Sequence, residues 1–439
     1  MDFVPPMSHA AFFSASFSAS SNPAPDGTPA SDCRAAASPC LGLAPFLRKS
    51  IAGEDLRQLA GELLQRAQNG EENPGLWLDL STAFFALGQR DMGLAIQAQA
   101  LAQQRLYRID AAQQPARFRL LLLMAAGDLA DNTPLDCLLE NGAVDLLLYY
   151  AEPGAPLPDP LPVHDAVFVA MSEKPANRPI LAELETRLND WPWPVINRPR
   201  HIPNTERERA SRCLQGINGL EMPITHALTR SQLQDLAEGK TPLAARFADC
   251  AYPIIVRPQS SQAGRDLARI DAPEAILPYL EGVPEDEFFL SRFVDYRGAD
   301  GLFRKIRLVL IQGRPFVCHL GISAHWMIHY LNAGMYEDAA KREEEARFMA
   351  AFPTFAARHQ GALAAIHERI GLDYVCIDCA ETQSGELLIF EIDHIMVVHA
   401  MDPVALFPYK VEPMRQIRTA FEDFLDALTS VRRPPGAIS

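Results

Sequence analysis

The chain of 439 residues has no apolar run near the roughly 20 residues that a membrane-spanning helix needs. Its longest, LLLLMAA at Leu120 to Ala126, is far too short, so no membrane partner is expected. Positive charge is also scarce. Forty Lys and Arg face 55 Asp and Glu, and the net charge of -15 argues against a nucleic-acid partner, whose affinity comes from clustered cations. The N-terminus lacks both a positive start and a continuous apolar core, which argues against a secretory signal. Its Ala, Ser and Pro content predicts a disordered lead over residues 1–46. The eight cysteines are scattered, several inside apolar runs such as YVCID and PFVCHLG. Reduced, buried thiols in a cytoplasmic protein are the expectation. What remains is an ordinary globular balance, 48% hydrophobic and 22% charged, over a length that suits about two to four domains.

Residues 47–114 carry a helical period. SIAGEDLRQLAGELLQRAQ puts Ile51, Leu56, Leu59, Leu63 and Leu64 near one face, with Ser50 as the cap. Two more helices follow, broken at Gly88, with Trp77, Leu80, Ala83 and Phe84 facing Leu94, Ile96 and Ala100. The stretch resembles one tetratricopeptide-type hairpin; a single copy suits a helical cap better than a peptide-binding superhelix. The period changes near Arg117. RFRLLLLMA, AVDLLLYY, HDAVFVAMS and PVINRP alternate with the helical PLDCLLENG and NRPILAELETRLNDW, which predicts a doubly wound parallel sheet over residues 115–230. Two mixed α+β subdomains are expected next, over 231–300 and 301–430, with 431–439 as a tail. FAARHQGALAAIHERIG is expected as one helix. The fold class is therefore α/β, with a helical hairpin segment in front.

One stretch poses a chemical choice. CIDCAETQSGELLIFEIDHIMVVH, Cys376 to His399, has C-x2-C, fourteen residues and H-x4-H, a zinc-module spacing. It also reads as a hairpin of two strands around TQSGE. Alternation then puts Cys376 and Asp378 on one face and Cys379 on the other, so the cysteines cannot close on one ion. Asp378, Glu391 and Asp393 fall on a common face. An oxygen-only set of this kind, flanked by apolar residues, suits Mg2+.

These motifs, in this order, resemble the ATP-grasp superfamily of carboxylate–amine ligases over about Arg117 to Leu428. The resemblance implies that YPIIVRPQSSQAGRDL is the strand and loop over the ATP phosphates. Arg257 would stand where a lysine is usual, and Ser260, Ser261, Gln262, Ala263 and Gly264 would offer N–H groups. FFLSRFVDYR would be the hinge at the adenine, through Leu290, Ser291, Arg292 and Phe293. RKIRLVLIQGRPFVCHLGIS would bring Arg307 to the transferred phosphoryl group, with Lys305 in place of a usual acid. Asp378 and Glu391 match the metal-binding strands, and Asp393 stands where asparagine is usual. The substrate side would be His319, His325, His329 and Asn332, with His325 and His329 on one helical face or simply structural, and Trp326 and Tyr330 in packing.

The implied activity is an ATP- and Mg2+-dependent, ADP-forming ligase that joins a carboxylate, on an amino acid or peptide, to an amine through an acyl phosphate. Two Mg2+ ions, Arg257 and Arg307 would offset the repulsion between the anions. Two alternatives stand beside it. One is a non-catalytic nucleotide-binding regulator, favoured by the departures at Arg257, Lys305 and Asp393. The other is an interaction scaffold that meets a protein partner or a second copy through the helical segment.

Overall fold

The computed structural model describes residues 37–261 and 264–430. The described residues begin with β1 (Ser38–Pro39), α1 (Ala44–Ile51), α2 (Leu56–Gln68), α3 (Pro74–Ala86), α4 (Arg90–Gln103) and β2 (Leu106–Ile109). Residues 37–46 are thus ordered rather than part of a lead; the rest of the lead and the tail lie outside the described residues. The helix expected from Ser50 breaks in two. Gly53 takes φ +71°, and Asp55, not Ser50, caps α2 by accepting the Arg57 N–H at 2.9 Å. Gly88, at φ +75°, turns α3 into α4, and Leu80, Ala83 and Ile96 pack between them. The expected break at residue 114 is not a structural boundary. β1 and β2 are strands of the next sheet, too short for alternation to show in the sequence.

That sheet continues with β3 (Phe118–Ala125), α5 (Leu135–Leu139), β4 (Val144–Ala151), β5 (Ala166–Val169), α6 (Arg178–Arg187) and β6 (Val195–Ile196). The order is β1-β2-β4-β3-β5-β6, parallel from β4 to β6, with β2 antiparallel to β4. Both faces are covered: Leu121 and Leu123 meet α6 on one side, while Leu120 and Leu122 belong to a second core. Burial on two sides explains why VDLLLYY needs no alternation.

A smaller unit follows α7 (Arg207–Cys213) and β7 (Leu220–Glu221). It holds β8 (His226–Thr229), α8 (Arg230–Ala237), α9 (Leu243–Arg246), β9 (Ile254–Pro258), β10 (Ala268–Ile270), α10 (Ile276–Gly282) and β11 (Glu287–Arg292). Its antiparallel sheet, β10-β9-β11-β8, closes a core of its own around Leu233, Val256 and Phe288. Thr229 and Gln232 form a capping box at α8.

The last unit comprises β12 (Phe303–Ile311), β13 (Arg314–Ser323), α11 (Ala339–Ala350), α12 (Phe352–Arg358), α13 (Gln360–Ile370), β14 (Tyr374–Glu381), β15 (Leu387–Asp393) and α14 (Val411–Ser430). The sheet order is β13-β12-β14-β15-β7. Gln312 and Gly313, both at positive φ, make the tight turn between β12 and β13. The helix expected over residues 355–371 is interrupted at His359, between α12 and α13. Ile417, Phe421 and Phe424 of α14 fill one core with Phe168 of the first sheet and Tyr374 of the last, so the two sheets share a wall. Among the described residues no helix is long and apolar enough to cross a membrane.

Candidate functional site

Three neighbouring strands build a charged row. Arg307 on β12 lies opposite Asp378 on β14, which lies opposite Glu391 on β15, and Asp393 pairs with Cys376. Directly opposed residues point to the same side of a sheet, so these side chains share a face. The other face is apolar: Ile306, Leu308 and Ile377 are in the core. Cys376 is sunk under α14 and Cys379 lies in the opposite core, both fully buried, so the two thiols serve different interiors. The seven cysteines among the described residues are all free.

Asp378 is only 2% exposed. It accepts from Lys305 Nζ at 2.8 Å, Arg307 Nε at 2.7 Å and Arg307 Nη2 at 3.0 Å. Burial alone would push its carboxyl up, but Arg307 and Lys305 outweigh it and hold the group well below the usual carboxylate range. Burial likewise disfavours the Arg307 charge, and Asp378 more than restores it. Glu391 is bound by Arg207 of α7. Asp393 accepts the Ile395 N–H at 3.3 Å and sits 3.3 Å from His394 Nδ1, outside hydrogen-bond geometry.

The expected metal set of Asp378, Glu391 and Asp393 is therefore on one face but not gathered. Among the described residues, one group of three has its ligand atoms all within 4.8 Å of one another, and it is His226, Asp249 and Cys250. The physical reason is that Asp378 and Glu391 each have a nearby cation that draws the carboxylate aside.

Above the row, between the sheet of the smaller unit and the last sheet, lies a cleft of about 190 Å³. Arg207, Arg257, Lys305, Asp378 and Glu391 form its charged end, and Phe289, Phe293, Trp326 and Ile389 its apolar walls. Arg307 does not line it. The guanidinium expected to face the cleft is turned onto Asp378, and Lys305 reaches the cleft instead. Arg257 lies on β9 with burial, then Arg207, lowering its pKa to about 10. It donates to the Ser261 carbonyl, while its Nε is buried with no partner.

In the adjoining loop the Ser261 hydroxyl is committed to the Arg265 carbonyl, and Ser260 is exposed. Gly264, at φ +70°, lines the cleft against His329: an added Cβ would lie 2.7 Å from His329 Nε2. Gln262 and Ala263 lie outside the described residues.

On β11 alternation divides the hinge residues. Phe289 and Ser291 face the cleft, whereas the Leu290 side chain is fully buried in the core of the smaller unit, leaving only its backbone to a ligand. Arg292 binds Glu221, and Phe293 meets Trp326 edge-on at 5.8 Å. The four expected substrate residues do not assemble. His319 lies opposite Arg307, against Tyr330 at 4.6 Å; burial first, then Arg307 and Lys410, push its pKa far down. His329 lines the cleft, its pKa lowered by burial and then by Lys305. His325 is exposed on a bend rather than a helix, and Asn332 is an exposed cap on the His329 N–H at 2.9 Å. Trp326 both packs and lines the cleft. Two contributors were not foreseen: Arg207, 184 residues from its Glu391 partner, and Lys305 as a cleft residue. Nothing in TERERAS marks Arg207 among its charged neighbours.

No protein-family model and no curated protein matches the chain. Solved structures similar to it are ATP-grasp ligases. VanG D-Ala:D-Ser ligase from Enterococcus faecalis is 14% identical, with 71% of this chain and 99% of that one covered at a TM-score of 0.43. D-alanyl-alanine synthetase A from Vibrio cholerae is 13% identical, covering 72% and 99% at 0.42. The ATP-grasp ligase PsnB, complexed with minimal precursor, Mg and ADP, is 12% identical, covering 73% and 99% at 0.40.

Proposed function

We propose that the chain is an ATP- and Mg2+-dependent ligase that joins a carboxylate to an amine and releases ADP. The observation that carries this reading is the cleft itself. An apolar slot fit for a flat base runs into an end where Arg207, Arg257 and Lys305 outnumber Asp378 and Glu391. The buried, unpartnered Arg257 Nε supplies a donor that a phosphate oxygen would satisfy.

Glu391 and Asp393 offer hard oxygens on one strand face, where Glu391 would exchange Arg207 for Mg2+, whereas Asp378 is committed to both Lys305 and Arg307. When bound, the ion would supply positive charge to the triphosphate. Arg257 and Lys305 would hold phosphate oxygens. Arg307, fixed by its strand and by Asp378, adds preorganised positive charge close behind them. A substrate carboxylate oxygen would form a bond to the γ-phosphorus as the bond to ADP breaks. An amine would then attack the acyl carbon, lose a proton and expel phosphate. The smaller unit, closing over the cleft, would keep water from that intermediate. The substrate pair we propose is an amino acid or peptide carboxylate and an amine, met on the His329 side of the cleft.

The test is ADP release from purified protein screened against mixtures of amino acids and short peptides. Turnover that appears only with a carboxylate and an amine together supports the reading. Tight ATP binding without turnover in any mixture would favour the nucleotide-binding regulator instead.

A further inference from the structure

We infer that Lys305 is a tethered cation that takes, on Asp378, the place of a second divalent ion, so that the site binds its nucleotide with one metal ion rather than two. The inference rests on the nucleotide reading above and deepens it.

The geometry is specific. A carboxylate has two oxygens and about four lone-pair directions. On Asp378 three are taken, by one Lys305 donor at 2.8 Å and two Arg307 donors at 2.7 and 3.0 Å. A divalent ion on the same carboxylate would stand within a few ångströms of two fixed positive charges, in a site where Asp378 is 2% exposed and screening is weak. Neither cation can withdraw easily. Arg307 is pinned by its strand and by a further 3.5 Å contact to the Val397 carbonyl. Lys305 has a side-chain exposure of 14% and lies between the cleft and Asp378. An ammonium has three donors, and Asp378 uses one, so two remain for phosphate oxygens in the cleft. Lys305 thus does with a side chain what an ion does by coordination: it neutralises Asp378 and presents positive charge to the ligand. Glu391, held by one arginine, Arg207, and Asp393, which no lysine or arginine touches, are left for the single metal ion.

The experiment counts ions. The full chain is titrated with Mn2+ at saturating AMP-PNP, and free Mn2+ is read by electron paramagnetic resonance. One bound Mn2+ per chain is expected, rising to two in Lys305→Asp, where an acid replaces the cation. Two ions in the unaltered chain, or one in both, would overturn the inference. A second variant guards against misfolding. Lys305→Met keeps the stem and leaves Asp378 paired with Arg307; it should lose about tenfold or more of AMP-PNP affinity measured in EDTA, the share expected of a charge-assisted contact. Unchanged affinity there also overturns it. Failure of the unaltered chain to bind AMP-PNP under any condition removes the nucleotide reading itself, a result distinct from two ions bound beside a bound nucleotide.

Discussion

Two clusters of buried charge lie close together in the last unit, one on its sheet and one on its helices and loops, and they are built on opposite rules. In one, Lys410 is 3% exposed and sits 2.9 Å from Asp402 and 3.4 Å from Glu345. Glu345, fully buried, also accepts from Tyr330 at 2.8 Å, Tyr409 at 2.6 Å and the Leu320 N–H at 2.9 Å, while Asp402 accepts from Tyr336 at 2.7 Å. Two acids, one cation and three phenols satisfy one another, and every contact points inward. The other cluster has two cations on one acid, Asp378, and no neutral donor. It keeps an uncompensated positive charge, and Lys305 carries that charge to the wall of a cleft. The contrast separates a polar network that fixes the fold from one that holds charge ready for a ligand.

Removing the centre of the closed cluster should have the largest effect. Lys410→Met leaves Glu345 and Asp402 buried with only phenol and N–H donors. It should cost about 3–5 kcal/mol in urea unfolding, as breaking a buried pair from one side does. A loss under about 1 kcal/mol would show that the network is not what holds this wall. In the open cluster the same kind of deletion should spare the fold and reach the chemistry. Arg307→Ala leaves Asp378 paired with Lys305, so stability should fall less than in Lys410→Met. Turnover should drop, by less than the roughly two to three orders of magnitude that losing a donor in direct contact with the reacting group costs, with ATP affinity changing far less. Arg307→Lys should recover only part, since a point charge lacks the planar fork. Equal loss of binding and turnover would make Arg307 a ground-state anchor; no change in either would reduce it to a structural partner of Asp378.

Much of this contrast was legible in the sequence, and the illegible part has a common cause. Period-two alternation placed Lys305, Arg307 and Val309 on one face of a strand, and Asp378, Glu391 and Asp393 on another common face, because facing is a local property. Which cation each acid would choose depends on strands that neighbour only after folding, so the Arg307–Asp378 and Arg207–Glu391 pairs could not be read. The same limit applied at the N-terminus. Periodicity found α3 and α4, but β2 is four residues long and belongs to a sheet whose other strands lie further along the chain. Local signals settle two further places. Gly53 and Asp55 mark a stop and a cap inside an unbroken apolar period, and on β11 alternation turns Phe289 and Ser291 to the cleft while Leu290 meets it only through its backbone.

A third buried carboxylate extends the comparison to the case with no bound cation, and gives the smallest of the expected effects. Asp79, on α3, is 5% exposed and accepts the Leu41 N–H at 2.8 Å, which ties the segment after β1 to the helices. Burial pushes its pKa up to about 7, against the pull of backbone N–H groups. The sign is opposite to that at Asp378. A group whose folded pKa is raised contributes stability that is fully present below its unfolded value, near 4, and is lost as pH rises through about 7. At Asp378 the folded pKa is depressed, so its contribution is present above the unfolded value and is lost only in strong acid. Asp79→Asn keeps an oxygen for the Leu41 N–H and removes the titration. Between about pH 5 and pH 7 the unaltered chain should therefore lose about 2 kcal/mol of stability relative to this variant. Taking the difference between the two chains cancels every other titrating group. Unfolding curves that stay parallel across that window would mean that the Leu41 N–H and its neighbours hold the Asp79 charge as well as Lys305 and Arg307 hold that of Asp378.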